Sequence, residues 1–232
     1  MIWLYRGLVG LSILIIMIWT SGVITTLITR FLNPLNKLSK DEKVIYLTFD
    51  DGMNARFTPK LLDLLKKENI HASFFMLTST IDGNEDILHR MKNEGHIIGL
   101  HGYHHDNQIL QPPHMLMRDT KKSLEIFQKQ SVSVRYSRAP WGHLSLVGYI
   151  LNKVYNIKPI FWNVIVQDWQ KDTTPEILIE KLMRKVQGTA VICMHDGRGK
   201  NDAPLKTIKA LETCIPKWKE EGYRFETVEK IN

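Results

Sequence analysis

Asp50 and Asp51 stand side by side where the β-prone run Val44 to Phe49 ends, and Gly52 follows them. Two carboxylates this close repel each other, so keeping both ionised needs positive charge nearby, from a cation, an arginine or both. In α/β proteins a strand ending in polar residues delivers them to the C-terminal edge of the sheet, where chemistry is placed. Asp and Gly are also ordinary turn residues, so the pair taken alone is equally a turn closing a strand. A second polar cluster, His101-Gly102-Tyr103-His104-His105, follows the run His96 to Leu100. If the backbone turns helically there, His101 and His105 point the same way and can grip one cation, with His104 aimed elsewhere. Two neutral imidazoles and one carboxylate form an open three-ligand set that leaves room for water on zinc or a similar divalent ion. A solvated polar loop is the plainer reading of the same residues.

The elements that must position these groups alternate along the chain. Strands are expected at 44–49, 71–77, 96–100, 133–136, 160–166 and 189–194, with 225–228 closing the set. Helices are expected over 60–67, 86–95, 113–128, 175–187 and 204–221. The first opens on Thr58 as N-cap with Pro59 at the first helical position, and its leucines fall on one face. Gly95 stops the second. Repeated βα units imply parallel strands with helices outside, and so an irregular α/β barrel.

The 232 residues suffice for one such domain with a sizeable core. Net charge is +7, and removing Arg6 and Arg30 leaves the rest at +5. A moderately basic domain favours a polyanionic surface such as cell wall, membrane or nucleic acid. No zinc-finger spacing, aromatic RNA-binding signature or Lys/Arg run supports nucleic acid, so no nucleic-acid partner is expected. Two cysteines are too few for a disulfide framework, and Cys193, inside the run Ala190 to Met194, reads as a small core residue. Gly7 to Ile28 carry no charge, and at about 1.5 Å per residue they would cross a bilayer core of roughly 30 Å. Residues 1–30 are therefore expected as an uncleaved, single-pass transmembrane helix, with a cleaved signal peptide and secretion as the alternative. Arg6 flanks one side and Arg30, Lys37, Lys40 and Lys43 the other, so charge does not favour export. Residues 31–42 read as a linker, and 43–232 as the catalytic domain.

Thr48-Phe49-Asp50-Asp51-Gly52, His101-x-x-x-His105, Arg138-x-Pro140-Trp141-Gly142, Asp168-Trp169 and Met194-His195-Asp196 occur in this order. The sequence thereby resembles metal-dependent polysaccharide deacetylases of the NodB-homology type, carbohydrate esterase family four. Ala72-Ser73-Phe74-Phe75 and Gly222-Tyr223-Arg224-Phe225 extend the likeness across 43–231. The resemblance implies a distorted (β/α) barrel with about seven strands and a divalent ion, zinc first, with cobalt or manganese as alternatives. It makes Asp51, His101 and His105 the metal ligands, Asp50 the general base and His195 the general acid. Arg138 would sit against Asp50 and Asp168 against His195. Trp169 and Cys193 would line a pocket for the acetyl methyl, and the Trp141 N–H would hold the oxyanion. The implied reaction is hydrolysis of N-acetyl groups, a carbon–nitrogen bond other than a peptide bond. Its substrate would be an amino-sugar polymer, peptidoglycan or a chitin-like oligomer, met on the extracytoplasmic side of the cell membrane. A de-O-acetylase of xylan or another glycan, and a catalytically weak glycan-binding barrel, are the alternatives. Four departures from the family pattern stand out: Gly102 for Ser or Thr, Met53 for proline, Ile165 for an aspartate and Cys193 for leucine. Gly102 is expected to cost a hydroxyl behind the ligands, and Met53 only to loosen its turn.

Overall fold

The computed structural model describes residues 2–32, 35 and 41–231. Its longer elements run α1 (Ile2–Phe31), β1 (Val44–Asp50), α2 (Thr58–Lys67), β2 (Ser73–Leu77), α3 (Glu85–Asn93), β3 (Ile97–Gly102) and α4 (Pro113–Lys129). The second half continues β4 (Tyr136–Ser137), α5 (Leu146–Val154), β5 (Lys158–Pro159), β6 (Val164–Ile165), α6 (Pro175–Lys185), β7 (Ala190–His195), α7 (Ala203–Glu220) and β8 (Arg224–Phe225). Seven strands follow the order β5-β4-β3-β2-β1-β7-β6, and β8 pairs with β1. Among the described residues every strand pairing is parallel. β5 and β6 stand at the two ends of that order, so the expected barrel is realised as an open half-barrel.

β1 is the hub, buried along its whole length. Alternation sends Ile45, Leu47 and Phe49 into the layer under the helices, and Val44 and Tyr46 into the barrel interior. By the same period Thr48 and Asp50 point inward. β7 alternates likewise, with Ala190, Ile192 and Met194 under the helices and Val191 inside, so Cys193 and His195 face inward too. The β1–β7 register sets Thr48 opposite Cys193 and Asp50 opposite His195. Strand alternation alone therefore brings Asp50, Cys193 and His195 to one rim.

Several local expectations are corrected. Thr58 is the first helical residue and not the N-cap, because its Oγ1 accepts from the Asn54 N–H and donates to Asp196 Oδ2 at 2.6 Å. The run 160–166 is not one strand: the carbonyls of Ile160 and Phe161 turn to accept from Arg138, leaving only Val164–Ile165 to pair. α5 was not expected; Ser145 caps it by accepting from the Gly148 N–H.

Among the described residues no helix is long and apolar enough to cross a membrane, so the span expected over 1–30 gains no support from the structure. The last turns of α1 lie on the barrel. Gly22 packs against Ile109, where a Cβ would sit 3.1 Å from Cγ1, and Thr26 Oγ1 donates to the Leu144 carbonyl at 2.9 Å. Of the linker expected at 31–42, residues 33, 34 and 36–40 lie outside the described residues. Phe31 still belongs to α1, and Leu35 is buried against the barrel core.

Candidate active site

Asp50 ends β1 with its carboxylate buried, and Arg138 Nη1 donates to Oδ1 at 2.8 Å. Arg138 is itself 1% exposed and spends every nitrogen inward, on Thr48 Oγ1 at 2.7 Å and on the Ile160 and Phe161 carbonyls at 3.2 Å. The Phe75 ring lies 4.3 Å from its Cζ and covers one face of the guanidinium. A buried ion pair holds only where the remaining donors are satisfied, and here they are.

Asp51 occupies the left-handed region, φ 73°, which turns its side chain away from that of Asp50. Its Oδ1 lies 3.4 Å from His101 Nε2 and 3.4 Å from His105 Nε2, yet receives no well-formed hydrogen bond. His101 Nδ1 donates to the Arg138 carbonyl at 2.8 Å, which leaves the Nε2 lone pair facing Asp51. Burial holds the His105 imidazole down to about 4 against the pull of Asp51, so it is neutral and able to ligate at neutral pH. Burial would raise the Asp51 carboxyl, but the His101 imidazole at its Oδ1, with those of His195 and His105 close by, holds it well below the usual range. A buried oxygen without a donor, facing two imidazole nitrogens at equal distance, is the donor set of a divalent cation. The residues present fit that ion, and all three donor atoms lie within 4.8 Å of one another.

The helical turn expected between His101 and His105 is absent. His101 belongs to β3, and the chain bends at Gly102, φ 121°, to bring His105 back. A Cβ at Gly102 would stand 2.9 Å from the His104 carbonyl oxygen, so glycine here is required by the path of the chain. Met53 does not loosen its turn either: its N–H donates to Thr80 Oγ1 at 2.8 Å, a bond proline could not make.

His195 closes the opposite wall. Asp168 Oδ1 holds its Nδ1 at 2.8 Å, and Asp168 Oδ2 accepts from the His195 backbone N–H and from Thr207 Oγ1. Burial alone would lower the imidazole, but the charge and hydrogen bond of Asp168, with Asp50 and Asp51 adding, outweigh it and raise it to about 9. Trp169 packs edge-on against the ring at 4.8 Å, and Trp141 stands against His105 at 5.1 Å. Trp141, 62% exposed with φ 61°, sits in the tight turn Pro140–Gly142.

Asp50, Asp51, His101, His105, Trp141, Trp169, Cys193 and His195 thus share one cleft of about 530 Å³, with Trp162 and Ile165 along its floor. Arg138 and Asp168 stand behind its wall.

Three residues escaped the sequence reading. Arg198 brings Nε to 3.3 Å from Asp51 Oδ2. Asp196 is buried behind Asp51, and burial, with the charges of Asp51 and Asp50, pushes its carboxyl up to about 7 although Thr58 donates to it. Gly52 lets it approach, since a Cβ there would lie 2.5 Å from both Asp196 carboxylate oxygens. Arg30, from α1, donates to the Gly142 carbonyl at 3.3 Å and lies over the Trp162 ring. Only Asp196 carried a sequence signal, as the residue after His195.

A parallel half-barrel that carries a buried carboxylate, an Asp-paired imidazole and a trio able to hold a cation on one rim has the architecture of a hydrolytic enzyme. The sequence matches the polysaccharide deacetylase family over residues 37–153, and the chain belongs to that family. A peptidoglycan-N-acetylglucosamine deacetylase of Bacillus cereus is 31% identical over 85% of this chain and 70% of its own length. PgdA, a peptidoglycan-N-acetylglucosamine deacetylase of Listeria monocytogenes, is 29% identical over 83% of this chain, which spans only 40% of that relative's length. The crystal structure of the Bc1960 peptidoglycan N-acetylglucosamine deacetylase superposes with a TM-score of 0.77 at 28% identity, covering 83% of this chain and 89% of that one.

Proposed function

We propose that this chain removes N-acetyl groups from an amino-sugar polymer, with peptidoglycan as the first substrate. The observation that carries the reading is the register pair Asp50 and His195, an acceptor and a donor opposed on neighbouring strands beside the Asp51–His101–His105 cluster. The names of the relatives support the choice of polymer. With a divalent cation held by Asp51, His101 and His105, zinc by the chemistry of the donors, the site gains a Lewis acid that polarises the amide carbonyl and acidifies water.

The protein's own groups do the rest. Arg138 holds Asp50 through Oδ1, leaving Oδ2 to take a proton from the attacking water. His195, whose Nδ1 is tied to Asp168, presents Nε2–H to the nitrogen that leaves as the carbon–nitrogen bond breaks. Its raised pKa keeps the imidazolium form populated at neutral pH. The Trp141 N–H serves the carbonyl oxygen, a contact of the kind worth about 3 kcal/mol of barrier. Trp169, Cys193 and Ile165 offer the apolar surface for the methyl group. We place the domain on the extracytoplasmic side, where such a polymer lies. An anchoring role for residues 1–30 rests on the uncharged run 7–28 and is tested by fractionating membranes for the intact chain.

The test is an acetate-release assay on peptidoglycan, N-acetylglucosamine oligomers and acetylxylan with zinc, cobalt or manganese. Acetate from an amino sugar, lost in Asp50→Asn, is expected. Acetate from xylan alone makes the chain a de-O-acetylase, and glycan binding without acetate from any substrate makes it a binding barrel.

A further inference from the structure

A second set of cation-capable side chains lies in the cleft. Asp50, Cys193 and His195 each offer one donor atom, and the three atoms lie within 4.8 Å of one another. Asp50 and Cys193 are buried, and Cys193 Sγ stands 3.4 Å from Asp50 Oδ2. Two of the three donors are fixed from behind. Arg138 takes Oδ1 of Asp50 and leaves Oδ2 toward the thiol; Asp168 takes Nδ1 of His195 and leaves Nε2. β7 sends Cys193 and His195 to the same face, two residues apart, and the register sets Asp50 opposite His195.

One sulfur, one imidazole nitrogen and one carboxylate oxygen suit a borderline or soft divalent cation, and suit magnesium or calcium poorly. We propose that Asp50, Cys193 and His195 form a second cation site, separate from Asp51, His101 and His105. It takes a divalent ion of the zinc or cadmium type and halts the reaction by occupying both the proton acceptor and the proton donor. The inhibitory half rests on the function proposed above; the binding half does not. Capture sends the Cys193 thiol proton and the His195 imidazolium proton to solvent as the ion takes their place. The Arg138 guanidinium and a cation on Asp51 both oppose further positive charge, so this site fills after the first. An enzyme of this design works at low zinc and is silenced when zinc is in excess.

The test is a Cd²⁺ titration of the metal-stripped full chain, read by equilibrium dialysis and by sulfur-to-cadmium charge-transfer absorption in the ultraviolet. The wild type is expected to bind a second equivalent, and the absorption band to rise with it. Cys193→Ser, nearly isosteric, loses the band and the second equivalent and keeps the first. His195→Gln loses the second equivalent with the thiol still present. His105→Ala weakens the other equivalent and keeps the band. Cys214→Ala, altering the buried cysteine of α7, leaves both unchanged. A wild type without the band, or a band surviving in Cys193→Ser, overturns the proposal. Acetate release falling with the second equivalent supports the inhibitory half, and release unaffected by it overturns that half. A band in a protein that never releases acetate defeats the proposed function and leaves the cation site standing.

Discussion

Replacing Asp168 by asparagine keeps the shape of the side chain and removes the charge that holds His195. In the native protein burial works to lower the His195 imidazole, and Asp168 is the main reason it nevertheless reaches about 9. The distance from the ordinary histidine value of about 6.5 corresponds to about 3 kcal/mol, at about 1.4 kcal/mol per pKa unit. A histidine whose pKa rises on folding contributes stability that is complete below its unfolded value and lost as pH climbs through its folded value. Metal-free wild type should therefore shed about 3 kcal/mol from this group between roughly pH 6.5 and 9.5. Asp168→Asn should begin less stable near pH 6 and show no such slope. Urea unfolding of both proteins across this range, in chelator, measures the difference directly. Parallel stability profiles would refute the assignment of His195 as a buried imidazolium held by Asp168. In the active enzyme the same substitution should move the basic limb of the kcat profile to lower pH, because the proton donor is lost earlier.

Arg30→Ala removes the hold on the Gly142 carbonyl and the contacts over Phe161 and Trp162. It should lower kcat/KM about three- to tenfold while changing unfolding stability by less than about 1 kcal/mol; unchanged kinetics would place α1 outside the working site. Gly102→Ser forces a side chain against the His104 carbonyl at φ 121° and should cost about 1–3 kcal/mol in urea unfolding, with weaker cation binding. A variant as stable as wild type would mean the bend re-forms without glycine.

Much of the rim was legible because strands declare themselves at their ends. The run Val44 to Phe49 is apolar on both faces, as a central parallel strand must be, and it stops at two carboxylates. The spacing of His101 and His105 pointed to a shared ligand, although for the wrong geometric reason. The pair meets across a bend that only the φ of Gly102 reveals, and no local pattern distinguishes that bend from a helical turn. Arg138 shows why the run 160–166 misled. Its guanidinium draws in carbonyls 22 and 23 residues along the chain, and backbone spent on a side chain cannot pair with a strand. Arg198 and Asp196 were hidden because the Gly that follows His195-Asp196 reads as a turn signal, and neither the burial of Asp196 behind Asp51 nor the reach of the exposed Arg198 leaves a periodic trace. α1 is the sharpest case. Its apolar run promised a buried element, yet Leu8, Trp19, Ile24 and Leu27 are exposed, and its contacts with the barrel use Gly22, Thr26 and Arg30.

We propose that Asp51, His101 and His105 hold the ion that makes this barrel hydrolytic. The most direct measurement is acetate released from N-acetylglucosamine oligomers by the metal-stripped protein, before and after a single equivalent of Zn²⁺. No acetate before, turnover after, and none at any zinc level in His101→Ala are expected. Equal release with and without zinc, or full activity in that variant, would contradict it.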